Sequence, residues 1–284
     1  MVNSERFLLA GVMGWPVMHS RSPKLHNYWF EKHQLAGTYV PLAIRPDDLR
    51  AALRALPALC FSGCNLTIPH KQAAFALAAE RDEAAAATGA VNTLLFEDGR
   101  IIGRNTDVAG FVGMLRDGGL SSLSGRSVTV LGAGGAARAA IHALKELNAA
   151  RIAIANRTPA NAEELAQYFR GSKSDIEPLP WNKAVERLAT TNLLVNTTSL
   201  GMAGQPALEL DLSSLPQTAI VADIVYRPLE TPLLAAARKR GLKTIDGLGM
   251  LLHQAVPAFA VWFGVEPKVT PALRAHMLEA LKGE

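Results

Sequence analysis

Residues 128–158 read VTVLGAGGAARAAIHALKELNAARIAIANRT, and this stretch decides the fold. Val128-Thr129-Val130-Leu131 is a short apolar, β-branched run, the pattern of a buried strand. Gly132, Gly134 and Gly135 follow at once, with Ala137 in the third slot of a G-x-G-x-x-G/A loop. An Ala-rich segment from Ala136 to about Leu147 favours helix, and Arg151 to Ala155 is a second apolar strand. Strand, glycine loop, helix and strand in that order make a βαβ unit. Gly132 permits the tight turn, Gly134 removes a Cβ where a pyrophosphate approaches the backbone, and Ala137 lets the helix pack close to its strand. The loop Gly132, Ala133, Gly134, Gly135 and Ala136 sets phosphates at the helix N-terminus, against free N–H groups and the positive dipole end. A glycine motif alone is a weak signal; between a strand and a helix it predicts a dinucleotide-binding domain.

The end of the second strand narrows the cofactor. An NAD site usually carries Asp or Glu about 20 residues past the glycines, to bind the ribose 2′-hydroxyl. Here the chain reads Asn156-Arg157-Thr158, with no acid. A guanidinium fork matches a phosphate, whereas a carboxylate repels it. Arg138 in the first helical turn offers a second positive charge. The residues therefore predict NADP rather than NAD; the plain alternative is that Arg157 is a solvated residue after a strand.

The chain has 284 residues, enough for about two domains. Hydrophobic residues are 49 % and charged residues 19 %, a composition that supports a core. Net charge is +4 and the basic residues are scattered, which suits small anionic ligands better than nucleic acid. Cys60 and Cys64 lie close together in an expected strand, with no further Cys or His in a zinc pattern. They are expected to be buried free thiols, and no metal site is expected. No stretch is apolar enough to span a membrane, and MVNSERFLLAGVMGWP at the start lacks a signal-peptide layout, so a cytoplasmic location is expected.

Strands are expected over Phe7 to Met13, Thr38 to Ile44, Phe61 to Thr67, Val91 to Phe96 and Ile101 to Arg104. Helices are expected from Pro23 to about Leu35, with Ser22 as N-cap, then over Pro46 to Leu56, His70 to Ala79, Ala84 to Ala87 and Asp107 to Leu115. Alternation of this kind predicts a mainly parallel sheet, and the Asp98-Gly99 turn marks a hairpin. The polar stretch 121–126 leads into the nucleotide domain. Beyond Thr158, helix is expected over Ala160 to Phe169, strands over Leu193 to Asn196 and Ile220 to Ile224, and helix over Thr231 to Arg240. A last strand, Thr244-Ile245, precedes helices over Gly247 to Phe263 and Pro271 to Leu281. Residues alone do not place these final helices on either domain.

Several apolar strands end in polar clusters: Asn65-Leu66-Thr67 before Pro69-His70-Lys71, Asn92-Thr93 inside a strand, and Asn105-Thr106-Asp107 after the hairpin. Open α/β sheets bind ligands beyond the carboxyl ends of their strands. Asn65, Thr67, Asn92, Lys71 and Asp107 can therefore share one site, with Asn and Thr recognising hydroxyls and Lys71 with Asp107 handling a proton. Each has a plainer alternative. Ser22 caps a helix, Lys71 is a solvated helix residue, Asp107 caps the helix it begins, and Asn92 fills a bulge.

Nine segments together carry a resemblance: HSRSPKLHN (19–27), NLTIPHK (65–71), GAVNT (89–93), GRNTD (103–107), GAGGAAR (132–138), NRT (156–158), NTTSLGM (196–202), DIVYRPLETPLL (223–234) and DGLGMLLHQA (246–255). In content and order the chain resembles the shikimate dehydrogenase family. The resemblance implies an α/β fold of two domains with a deep cleft between them. The first is an N-terminal substrate domain with a mainly parallel sheet, residues 1–107 completed by 247–284. The second is a Rossmann-type NADP domain, residues 108–246. It implies NADP-dependent reduction of 3-dehydroshikimate to shikimate in aromatic amino-acid biosynthesis. It further implies that Ser20, Ser22 and Tyr226 hold the substrate carboxylate, that Asn65, Thr67, Asn92 and Gln254 bind ring hydroxyls, and that Lys71 and Asp107 are the catalytic pair. Asn156, Arg157 and Thr158 match contacts to the adenosine 2′-phosphate, and Ile224, Gly247 and Met250 belong with the nicotinamide. One departure is Arg104, where the family often has a smaller or acidic residue; pointing inward, it would alter substrate preference.

The chemistry expected is hydride transfer to a ring ketone, with an ammonium stabilising the oxyanion and giving it a proton. A quinate or dual quinate/shikimate dehydrogenase is the near rival, and Asn156-Arg157 favours NADP and the biosynthetic enzyme. A methylenetetrahydrofolate dehydrogenase shares the architecture but leaves HSRSP unexplained. A catalytically inactive ligand-binding relative is the rival from another class, and the presence of both Lys71 and Asp107 speaks against it. The expected partner is a small molecule, with no nucleic acid and no membrane; a homodimer is left open.

Overall fold

The computed structural model describes residues 7–282. Residues 1–6, part of the stretch read for a leader, lie outside them. The chain divides into two compact units: Met1–Asp107 with Leu251–Glu284, and Val108–Met250.

The first unit contains β1 (Leu8–Gly14), α1 (Ser22–Lys32), β2 (Gly37–Ala43), α2 (Leu49–Ala55), β3 (Gly63–Leu66), α3 (Lys71–Leu77), β4 (Glu80–Arg81), α4 (Glu83–Thr88), β5 (Thr93–Glu97) and β6 (Arg100–Arg104). Asp107 opens α5 (Asp107–Asp117). The sheet order is β2-β1-β3-β5-β6-β4. β1 runs parallel to β2 and β3, but β5 is antiparallel to both β3 and β6. The sheet is thus mixed: β4 runs parallel to β6, and the antiparallel β5–β6 pair follows from Asp98 and Gly99, whose φ of 48° and 74° turn the chain back.

Met13, Leu53, Leu66, Val91 and Leu94 pack one core of this unit. Trp262 is tied to the sheet by its Nε1–H, which donates to the Leu94 carbonyl at 2.9 Å. The approach requires Gly63: a Cβ there would lie 2.0 Å from the Leu94 oxygen and 2.1 Å from Trp262 Nε1.

The second unit runs from the rest of α5 through β7 (Ser127–Leu131), α6 (Gly135–Glu146), β8 (Arg151–Asn156), α7 (Pro159–Tyr168), β9 (Asp175–Pro180), α8 (Ala184–Arg187), β10 (Leu193–Asn196), β11 (Ile220–Asp223), α9 (Pro232–Lys239) and β12 (Lys243–Ile245). Then α10 (Leu248–Phe263) begins, and α11 (Pro271–Lys282) belongs to the first unit. Here the order is β12-β11-β10-β7-β8-β9 and every pairing is parallel. The chain winds outward from β7 to β9, then returns to β10 and winds the other way. The switch point therefore falls between β7 and β10. α6 packs through Ala137, Ala140, Ile141 and Leu144, all fully buried.

Several boundary expectations need correction. Ser22 is the first helical residue rather than the N-cap. Arg21 occupies the cap with helical dihedrals (φ −92°, ψ −7°), and no side chain caps the helix. Cys60 is exposed, on a left-handed residue (φ 63°) after a short 3₁₀ turn, so only Cys64, in β3, is a buried thiol. Pro46–Asp48 forms a 3₁₀ turn before α2. Asn92 precedes β5 instead of lying within it. β9 has no counterpart in the sequence reading. Its DIEPLP contains two prolines, which a sheet accepts at an edge, and β9 is an edge strand.

His26 on α1 is fully buried in an aromatic cluster. Its ring stacks on Tyr39 at 4.1 Å and 5°, with Trp29, Phe259 and Trp262 within 5.9 Å. Burial lowers its pKa from 6.5 to about 3. Between those values the unfolded chain binds the proton and the folded one does not, so stability falls as pH falls through this window. The loss is about 1.4 kcal/mol per pH unit below ~6.5. Urea unfolding of wild type and His26→Phe should show it: from pH ~6.5 to ~5 the wild type should lose about 2 kcal/mol more than the variant. Equal losses would mean that His26 is not the group responsible.

Candidate active site

In the first unit, register gathers the polar residues. Asn65 on β3 pairs with Thr93 on β5, and Thr93 pairs with Arg104 on β6. The residues that follow β3 and β6, and the one that precedes β5, therefore share one edge of the sheet. Lys71 opens α3, and its carbonyl accepts from the Val91 amide at 3.0 Å, which ties the helix start to the strand edge. The Lys71 ammonium donates to Asp107 Oδ2. The other carboxylate oxygen, Oδ1, accepts from Asn92 Nδ2 at 2.8 Å. Asp107 does not cap its own helix: its amide donates to Asn105 Oδ1 at 3.0 Å, while its carboxylate faces Lys71 and Asn92. Side-chain exposure is 27 % for Lys71 and 11 % for Asp107, so of the two partners the ammonium is the more open to an incoming ligand.

Behind this pair lies a buried network. Asn92 Oδ1 accepts from the Thr106 amide at 2.7 Å and from Thr93 Oγ1 at 3.0 Å. Asn65 Nδ2 donates to Thr93 Oγ1 at 2.9 Å and to the Asn92 carbonyl at 3.1 Å. Asn65 Oδ1 accepts from the Tyr39 hydroxyl at 2.7 Å. Burial pushes the Tyr39 phenol well above its ordinary pKa, the Cys64 thiol adds to this and the Ser22 hydroxyl opposes it. Tyr39 therefore stays a neutral donor. The sequence reading missed Tyr39, Thr93, Asn105 and Thr106. Thr93, Asn105 and Thr106 sit inside the polar clusters already singled out, whereas nothing in local spacing marks Tyr39.

The structure brings Asn65, Asn92, Lys71 and Asp107 into one connected cluster. Thr67 follows β3 on the same edge, half-buried, with its amide bonded to the Met13 carbonyl at 2.9 Å. Ser20 Oγ accepts from the Ser22 amide at 3.3 Å, and Ser22 itself is buried. Gln254 on α10 donates to its own helix, at the Leu251 carbonyl. Arg104 is exposed.

In the second unit the loops after β7, β8, β10 and β11 lie along one sheet edge, because Leu131 pairs with both Ala155 and Asn196, and Asn196 with Asp223. Gly134 and Gly135 are exposed at the start of α6, and a Cβ on either would meet nothing within 4 Å. Ala133 and Ala136 flank them, half-buried. This open, side-chain-free helix start fits a pyrophosphate. Arg157 is exposed just past β8, and Asn156 Nδ2 donates to the Thr158 carbonyl at 2.9 Å, shaping the loop beneath it. Arg138 is otherwise engaged: its guanidinium lies over the Tyr168 ring at 4.8 Å and donates to Glu164 at 2.9 Å. Asp223 organises the loops after β10 and β11. Its carboxylate accepts from Asn196 at 3.0 Å, the Val225 amide at 2.9 Å and Thr231 at 2.7 Å. Burial raises its pKa against those three bonds. Ile224 and Tyr226 follow it, both half-buried, and Met250 is half-buried on α10. Gly247 packs so close that a Cβ would lie 2.1 Å from the Ile224 oxygen. A hollow lined by Gln167, Arg170, Lys173 and Asp175 contains none of these residues. Among the described residues no group of His, Cys, Asp and Glu is arranged to hold a metal, and no helix is long and apolar enough to cross a membrane.

Gly132 and Gly134 differ in what they demand. Gly132 has φ of 107°, and a Cβ there would sit 2.8 Å from Thr197 Oγ1. Gly134 has φ of −89° and open space in front of it. Gly132→Ala should cost about 1–3 kcal/mol and lower the melting temperature, whereas Gly134→Ala should melt like wild type. Thermal unfolding of the ligand-free variants checks both; equal destabilisation would contradict the assigned geometry.

Comparison with known proteins points to one family. A family model described as shikimate dehydrogenase substrate binding domain matches residues 12–94, one described as shikimate / quinate 5-dehydrogenase matches 116–219, and one described as shikimate 5′-dehydrogenase C-terminal domain matches 247–282. The shikimate dehydrogenase (NADP(+)) of Acidiphilium cryptum is 51 % identical over 283 residues, covering 100 % of both chains. Among solved structures, shikimate 5-dehydrogenase of Thermus thermophilus in complex with NADP(H) and shikimate superposes with a TM-score of 0.85 at 36 % identity, covering 97 % of this chain and 99 % of that one. Quinate dehydrogenase of Corynebacterium glutamicum in complex with NAD superposes at 0.89 and 33 % identity, covering 96 % and 99 %. With matches of this extent at both levels, the chain belongs to the shikimate dehydrogenase family.

Proposed function

We propose that this chain is an NADP-dependent oxidoreductase that interconverts 3-dehydroshikimate and shikimate, within aromatic amino-acid biosynthesis. The observation that carries the proposal is the Lys71–Asp107 pair, with Asp107 fixed from behind by Asn92. NADPH, when bound, supplies a hydride to the ring ketone carbon. Lys71 stabilises the negative charge that then develops on the ketone oxygen and donates a proton from Nζ to form the alcohol. Asp107 orients Lys71. In the oxidation direction Lys71 accepts that proton.

Residues 1–107 with 247–284 form the substrate domain in this proposal, and residues 108–246 the NADP domain. Ser20, Ser22 and Tyr226 hold the carboxylate. Thr67 and Gln254 bind ring hydroxyls, together with Asn65 and Asn92. The amide hydrogens of both asparagines are already spent inside the protein, so Asn92 acts first by holding Asp107. Gly132 to Ala136 cradle the pyrophosphate, and Ile224, Gly247 and Met250 border the nicotinamide. Asn156, Arg157 and Thr158 receive the 2′-phosphate, with Arg138 a lesser contributor because Glu164 already engages it. A cytoplasmic location and a homodimer complete the proposal; cell fractionation tests the first and light scattering the second.

Two variants test it, with NADPH formation followed during shikimate oxidation and quinate as the competing substrate. Lys71→Ala should lower kcat about 10²–10⁴-fold while leaving NADP affinity unchanged. Wild-type turnover in that variant would remove the mechanism. Arg157→Ala should raise the KM for NADP about ten-fold or more and leave that for NAD nearly unchanged, since only NADP offers the extra phosphate. An equal loss with both cofactors would sink the phosphate assignment.

A further inference from the structure

Thr93 belongs to no proposed contact with substrate or cofactor, yet its side chain bonds to both asparagines. It is fully buried. Two backbone groups fix the direction of the amide bonds around it; its 3.3 Å contact with Thr106 Oγ1 can run either way. The Thr106 amide can only donate, and it lies 2.7 Å from Asn92 Oδ1. Reversing the Asn92 amide would set N–H against N–H, so its NH₂ must face Asp107 Oδ1 at 2.8 Å, and Asp107 must accept there. The Asn92 carbonyl can only accept, and it lies 3.1 Å from Asn65 Nδ2. Asn65 Oδ1 is thereby turned to Tyr39, which must donate. The second hydrogen of Asn65 Nδ2 goes to Thr93 Oγ1 at 2.9 Å. The Thr93 hydroxyl hydrogen goes to Asn92 Oδ1 at 3.0 Å, a closer acceptor than Thr106 Oγ1 at 3.3 Å.

From this directed chain we infer that Thr93 is a positioning residue for the reaction: its hydroxyl, taking a hydrogen bond from Asn65 and giving one to Asn92, steadies in place the Asn92 amide whose orientation the Thr106 amide sets, and so keeps Asp107 aimed at Lys71. The inference rests on the function proposed above and deepens it. Thr93 touches neither substrate nor cofactor. Its effect travels through Asn92 to the carboxylate, where a small misplacement is costly because proton transfer needs hydrogen-bond geometry.

Valine and serine separate this role from packing. Thr93→Val keeps the volume and loses the hydroxyl; Thr93→Ser keeps the hydroxyl and loses a methyl. The relay requires kcat for shikimate oxidation to fall about ten-fold or more in Thr93→Val, to return to within about three-fold of wild type in Thr93→Ser, and the KM for NADP to stay constant in both. A merely structural Thr93 gives the reverse order, with serine as damaging as valine or more so, and that result overturns the inference. So does wild-type kcat in Thr93→Val. Should neither variant fold, Tyr39→Phe carries the test one link further back: a several-fold lower kcat at constant NADP KM supports the relay, and an unchanged kcat overturns it. Lys71→Ala run alongside separates the two levels. If it collapses turnover while Thr93→Val does not, only the relay falls; if it keeps turnover, the proposed function falls and the relay has nothing to position.

Discussion

A backbone amide, that of Thr106, decides which end of the Asn92 side chain faces Asp107. An asparagine amide is nearly symmetric in shape and opposite in polarity at its two ends. Only an unambiguous neighbour can settle its orientation, and a main-chain N–H is such a neighbour. Here the amide sits 2.7 Å from Asn92 Oδ1. The position of that amide follows from the β5–β6 hairpin, whose register sets Thr93 opposite Arg104, two residues before Thr106. The electrostatics around the ammonium of Lys71 thus descend from sheet geometry. Asn65, Asn92, Thr93, Thr106 and Asp107 are all buried, and unpaired polar groups there would cost about 1–3 kcal/mol each. The site is therefore also part of what holds the unit together, and its residues cannot be exchanged singly without stranding a partner.

The second unit solves a similar problem with one carboxylate. Asp223 is buried and accepts three hydrogen bonds, from Asn196, Thr231 and the Val225 amide. Thr231 also caps α9 through the Leu234 amide at 3.3 Å, so the helix start and two strand ends are fixed to one point. Burial acts against the charge and the three donors act for it. The loops carrying Ile224 and Tyr226 leave directly from this anchor.

How much of this was legible in the chain depends on how local the cause is. The βαβ unit at 128–158 was legible because glycine conformation, helix start and strand pattern all act within a few residues. The strand-end clusters around Asn65, Asn92 and Asp107 were legible as polar residues where apolar ones would continue a strand. Their connections were not, since Asn65 and Thr93 meet only through β3–β5 pairing, 28 positions apart. Ser22 looked like a cap because Ser before Pro usually is one, but Arg21 takes the cap position. β9 was hidden by its prolines, and Cys60 by its closeness to a true strand residue, Cys64. Arg138 looked available from its place in the first turn of α6; only tertiary structure reveals Glu164 and Tyr168 around it.

The two units differ in how freely their recognition can change. In the first, the groups behind Lys71 and Asp107 are core residues with their hydrogen bonds spent on one another, so under the roles proposed for them a new substrate preference requires several simultaneous, compensating replacements. In the second, Arg157 is exposed, and a Cβ at Gly134 or Gly135 in front of α6 would meet nothing within 4 Å. Surface substitutions of that kind usually change stability by no more than about 0.5 kcal/mol. In the role proposed for Arg157, replacement by an acid reverses the charge offered to the ribose at an exposed position. Under the proposed cofactor contacts, a change at this one loop moves the preference between phosphorylated and unphosphorylated cofactors, while Lys71 and Asp107 stay tied to their buried partners. The NAD-bound quinate dehydrogenase structure, at a TM-score of 0.89, keeps the same frame around a different cofactor.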